Sequence, residues 1–205
     1  MVVTKSLSAE FTLKVVLPAA HVVFASADEI GFLPRWGRGS EPSDPLDALA
    51  WLRRHAARAT LYLTLGAEGV LVASPVLDDA LHVRLVRGPW EQIQEHVRQD
   101  STKLCGAGDA FAAGVTVYLQ TGKSLLAGGP PSHAPEVNAA LAGCALAVRW
   151  IGWEPRLSQG DFWIRSVPWP TAIRMAAAAQ AQSRVGREIQ VAMTRACAVA
   201  LLREF

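Results

Sequence analysis

Cys105-Gly106-Ala107-Gly108-Asp109-Ala110-Phe111 is the stretch that decides how this chain is read. Two glycines bracket an alanine, an acid follows, and Ala112, Ala113, Val115, Val117 and Leu119 run on with helical character. A glycine-rich turn that opens directly into a helix gathers backbone N–H groups without intrahelical partners, and the helix dipole adds partial positive charge there. Glycine lets the backbone approach a ligand closely and adopt positive φ. An acid at such a mouth is oddly placed for a mere anion binder. It makes sense as a base that takes a proton from a nucleophile while the amides hold the developing negative charge. The plainer alternative is a helix start with Asp109 as an N-terminal charge, and a short glycine motif alone leaves both open.

The 205 residues are enough for one sizeable domain with its own core. Apolar residues make up 51% and charged residues 19%, as in ordinary globular proteins. A net charge of +2 gives no electrostatic footprint for nucleic acid. Cys105, Cys144 and Cys197 lie far apart and make no metal-binding spacing; an odd count without a signal sequence points to free thiols in a reducing, cytoplasmic setting. Val191 to Leu202 is interrupted by Arg195 and too short to span a bilayer, so no membrane partner is expected. The five histidines show no ligand spacing. Trp150, Trp153, Trp163 and Trp169 cluster in sequence and suggest a local packed patch.

Outward from the central motif, the pattern is that of alternating strands and helices. His21 to Ala25 reads as a buried strand, preceded by a short helix within residues 11–20. Residues 34–45 are rich in Pro and Gly and form a loop, and Asp44-Pro45 starts a helix that runs to about Arg58. Thr60 to Leu65 and Val70 to Ala73, separated by Gly66-Ala67-Glu68-Gly69, predict a hairpin, and His82 to Val86 a further strand. Residues 108–120 predict a helix, 122–135 a loop, and 136–150 an alanine-rich helix ended by Gly152. Residues 153–170 read as irregular, and 172–184 and 187–203 as two helices. The expected division is 1–152 as a catalytic, nucleotide-binding portion and 153–205 as a helical C-terminal extension.

The order of these motifs resembles the ribokinase-like (PfkB) carbohydrate kinase family. Leu17 to Glu29 (LPAAHVVFASADE) resembles that family's strand ending in an N-x-x-E motif, Thr64 to Val72 (TLGAEGVLV) its nucleotide-contacting hairpin, and Gly106 to Gly114 (GAGDAFAAG) its second signature. The resemblance implies an α/β fold with a doubly wound sheet and ATP-dependent phosphoryl transfer to a hydroxyl of a sugar or sugar-like substrate. It implies that Asp109 is the catalytic base and that the amides of Gly106, Ala107 and Gly108 form the anion hole. Thr64 and Gly66 would lie along the nucleotide phosphates, Glu29 would act through water on Mg2+, and Asn138 would line the adenine pocket. Such chemistry is mainly positioning plus charge stabilisation.

Three departures from the family pattern carry consequences. Ser26 stands where the N-x-x-E motif has asparagine, which shortens the side chain in the water network around magnesium. Lys103 stands where an acid helps to hold a monovalent cation, which argues against activation by one. The N-terminal half, with its glycine-rich sugar motif, has no counterpart, so the sheet is expected to keep an open edge or to close it with a second copy or the C-terminal helices. The rival function is a non-catalytic nucleotide-binding or protein-interaction remnant of such a kinase.

Overall fold

The computed structural model describes residues 12–27, 53–75, 81–88, 93, 106–124, 126, 133–152, 157–168, 170–172, 174–179 and 181. A five-stranded sheet runs in the order β1 (Val22–Ser26), β2 (Thr60–Thr64), β3 (Val70–Pro75), β4 (Leu81–Arg87) and β5 (Trp163–Ser166). β1 and β2 are parallel, with Val22 opposite Thr60 and Ser26 opposite Thr64. From β2 onward the sheet is an antiparallel meander, so the parallel character expected of a doubly wound sheet is confined, among the described strands, to the first pair. Two long helices follow β4, α1 (Ala107–Thr121) and α2 (Pro135–Trp150).

Alternation along each strand sorts its side chains between two cores. Val23, Ala25, Leu61, Leu63, Leu71, Ala73, Val83 and Leu85 face one core, which Leu17 and Ala56 also enter. Tyr62, Val70, Val72 and Val86 face the other, together with Phe111 and Val115 of α1 and Leu141, Cys144 and Val148 of α2. The sheet is thus covered by helical segments on both faces, a mixed α/β arrangement. β1 lies at the end of the strand order, with β2 as its neighbour among the described residues.

The two helices on the second face touch through glycines. A Cβ on Gly114 would meet the Ala142 carbonyl oxygen and the Gly143 Cα at 2.8 Å. One on Gly143 would meet the Phe111 ring and Val115 at 2.7 Å. Only hydrogen fits at these positions, and its absence of bulk lets the backbones approach. Cys144, next to Gly143, is fully enclosed by this packing, and burial pushes its thiol up to about 12.

Several sequence expectations shift by a residue or two, as strand and helix ends do. The expected strand at 21–25 is Val22–Ser26, and the helices at 108–120 and 136–150 begin one residue earlier. The larger difference lies in residues 153–170, expected to be irregular. There Ser158 caps a short turn, its N–H and hydroxyl both donating to Asp161 Oδ2 at 2.7 and 2.9 Å, which holds that carboxyl below its usual range. β5 follows and pairs with β4, Ile164 opposite Val86. Val167, Ala172, Ala176 and Ala179 then enter the same core as Val23 and Leu61, so the segment after 157 supplies both a strand and part of the sheet's cover. Of the four tryptophans expected to form a packed patch, Trp153 and Trp169 lie outside the described residues; Trp150 and Trp163 are 61% and 50% exposed, with Arg165 stacked over the Trp163 ring at 4.8 Å.

Candidate active site

The mouth of α1 has the local geometry that its sequence calls for. Gly106 sits at the N-cap with φ +83, a left-handed conformation that L side chains rarely adopt. Ala110 N–H donates to the Gly106 carbonyl at 2.9 Å, the first turn-closing bond of the helix. The amides of Ala107, Gly108 and Asp109 therefore lie ahead of the intrahelical ladder, at the positive end of the dipole. Gly108 and Asp109 are exposed, and a Cβ on Gly108 would meet no described residue within 4 Å. The mouth is thus open on the side of Gly108 and Asp109.

An aromatic cluster fixes this helix to the parallel strand pair. Phe111, two residues past Asp109, meets Phe24 of β1 edge-on at 6.3 Å and Tyr62 of β2 at 6.2 Å. Phe24 and Tyr62 stack on each other at 5.5 Å. Tyr62 is fully buried, and its hydroxyl donates to the Glu136 carbonyl at 3.0 Å, tying β2 to the start of α2. Burial, with the nearby Glu136 charge, pushes the phenol further above its ordinary range, so it stays a donor.

Thr64 and Ser26 are register partners at the carboxyl ends of β2 and β1. In open α/β sheets, that is the end at which ligands bind. The turn after Thr64 uses its two glycines differently. Gly69 has φ +106, and a Cβ there would stand 2.3 Å from the Val86 carbonyl oxygen, so β4 occupies the space. Gly66 has φ +60, and a Cβ there would meet nothing within 4 Å. The turn is closed by Leu65 N–H donating to Gly69 O at 2.8 Å, and Glu68 of this turn pairs with Arg87 at 3.6 Å. Among the described residues, the backbone at Gly66 is therefore left uncovered.

Asn138 lies in the first turns of α2, 4% exposed, with Nδ2 donating to the His133 carbonyl and Oδ1 buried without a partner. α2 runs antiparallel to α1, since Gly143 lies against Phe111 and Trp150 against Gly106. The distance along α2 from Asn138 to Trp150 is about 18 Å at the usual helical rise. The structure thus keeps Asn138 apart from the α1 mouth, while Ser26 and Thr64 are brought together. Glu29, Lys103 and Cys105 lie outside the described residues. Among the described residues no three His, Cys, Asp or Glu side chains group to hold a metal.

Trp150 is the neighbour of this mouth that sequence reasoning missed. A Cβ on Gly106 would stand 3.0–3.1 Å from Cζ2, Cε2 and Nε1 of its indole. Only the antiparallel pairing of α1 and α2 could have revealed the contact, and no local motif signals it.

The pfkB family carbohydrate kinase model matches residues 1–128, well over half of the chain, and the chain belongs to that family. The match takes in the β2–β3 turn and all of α1, and it ends before α2. No curated protein and no solved structure matches the chain. No described helix is long and apolar enough to cross a membrane.

Proposed function

We propose that the chain carries the ATP-binding and phosphoryl-transfer machinery of a carbohydrate kinase, centred on the α1 mouth. The observation that carries this reading is the left-handed Gly106 turn opening into α1 with Asp109 exposed beside it, in a chain of the pfkB family. On this reading the Asp109 carboxylate accepts the proton of a sugar hydroxyl. The hydroxyl oxygen forms a bond to the γ-phosphorus of ATP, the bond from that phosphorus to the β–γ bridging oxygen breaks, and ADP leaves. The first-turn amides hold the negative charge of the phosphoryl group in flight.

The remaining roles rest on the family resemblance. Thr64 and Gly66 lie along the nucleotide phosphates, at the turn whose open glycine admits a close ligand. Asn138 Oδ1, buried and unpartnered, is an acceptor for the amino group of the base. Glu29, outside the described residues, would hold Mg2+ through water, and the ion would supply neutralisation of phosphate charge. The setting is the cytoplasm, and the partners are ATP and a small-molecule sugar.

Release of ADP in the presence of a panel of hexoses, pentoses and nucleosides tests the reaction. Asp109→Asn keeps the size and removes the base; it should lower any sugar-dependent turnover by about a hundredfold to ten-thousandfold. Nucleotide affinity should be nearly intact in the variant. Unchanged sugar-dependent turnover in Asp109→Asn would remove this residue from the mechanism.

A further inference from the structure

Gly106 is the hinge of the α1 mouth, since its left-handed conformation sets where the following amides point. A glycine in that conformation is easily lost to others, because it pays no steric penalty for leaving. Among the described residues, the side chain nearest to its missing Cβ is that of Trp150. The indole edge, with Cζ2, Cε2 and Nε1, fills the space a Cβ would take. Gly108, two residues on, has no described residue within 4 Å of where its Cβ would stand, so among the described residues the mouth is walled at Gly106 and open at Gly108.

Trp150 is a poor core residue. It stands in the last turn of α2 with 61% of its surface exposed, while Val148 and Ile151 beside it are buried and anchor that end of the helix. A side chain this large, left mostly in water, adds little burial to the fold for its size.

We propose that Trp150 is a positioning residue for the anion site. It holds Gly106 in the left-handed state and walls off one side of the first-turn amides from water, so that they converge on a phosphate group approaching over Gly108 and Asp109. Lower local water content strengthens such N–H to oxyanion bonds. This role rests on the proposed nucleotide site, because the anion it serves is the nucleotide's terminal phosphate.

The test uses the full chain in three forms: wild type, Trp150→Ala and Trp150→Phe. Magnesium-ATP is titrated by calorimetry, thermal unfolding is followed in parallel, and amide hydrogen exchange is read without any ligand. Trp150→Ala should weaken ATP affinity by about tenfold, equivalent to about 1.4 kcal/mol, with little change in Tm. Exchange at Ala110, whose N–H is bonded to the Gly106 carbonyl, should quicken in the same variant, and Trp150→Phe should restore most of both properties. Wild-type affinity and unchanged exchange in Trp150→Ala would overturn the proposal. So would a large fall in Tm accompanying the loss, which would make Trp150 a residue of the fold. Failure of the nucleotide reading is recognised separately: the wild-type titration is then already flat, and the exchange comparison alone still decides whether Trp150 holds the turn.

Discussion

Gly143 of α2 lies against Phe111 of α1 so closely that a Cβ at position 143 would stand 2.7 Å from the phenylalanine Cδ2. Phe111 in turn holds the α1 mouth against Phe24 and Tyr62. The helix pair is therefore set by a missing methyl group. Gly143→Ala would overpack this contact and should destabilise the chain by about 1–3 kcal/mol, although alanine favours a helix. Gly108→Ala, where the space is open, should gain up to about 1 kcal/mol of helix stability. Urea unfolding of the two variants against wild type checks the opposite signs.

Tyr62 carries the second link between sheet and helices. Tyr62→Phe keeps both ring contacts and removes the hydrogen bond to the Glu136 carbonyl. The expected cost is about 0.5–1.5 kcal/mol, larger if the carbonyl is left without water. Equilibrium denaturation measures it, and an unchanged midpoint would show that the bond contributes nothing net.

Cys144 predicts a pH dependence with a definite sign. Its thiol is raised from 9.0 to about 12 by burial. The folded state favours the protonated form, so the contribution to stability is complete below pH 9.0 and is lost as pH rises from there towards about 12. Cys144→Ala should lack that part of the alkaline fall, measured as the difference in unfolding free energy between the two proteins across this window. Iodoacetamide, read by peptide mapping, should modify Cys144 only when the chain unfolds.

Much of this arrangement was legible in the residues. β2 and β3 announce themselves through apolar runs flanking Gly66 and Gly69, and the α1 mouth through two glycines and an acid ahead of an apolar stripe. β5 was not legible, because Trp163, Arg165 and Ser166 are exposed and only Ile164 is half-buried. An edge strand with one inward residue leaves no alternation to detect. The helix after 170 could be read as a helix, but not as a cover of the sheet: alanines at 172, 176 and 179 mark a face without saying what it packs on. At the site, the motif placed Asp109 and the first-turn amides, while the Trp150 wall depended on the crossing of two helices far apart in sequence.

On the proposed function, the α1 mouth receives the phosphate end of a nucleotide. Titration of the full chain with ATP and magnesium, followed by heat and by the backbone amide resonances of Gly106 to Asp109, tests it most directly. A saturable, weak binding heat and concerted shifts of those resonances with the same midpoint are expected. No heat at millimolar ATP, or a binding heat that leaves these amides unmoved, would contradict it.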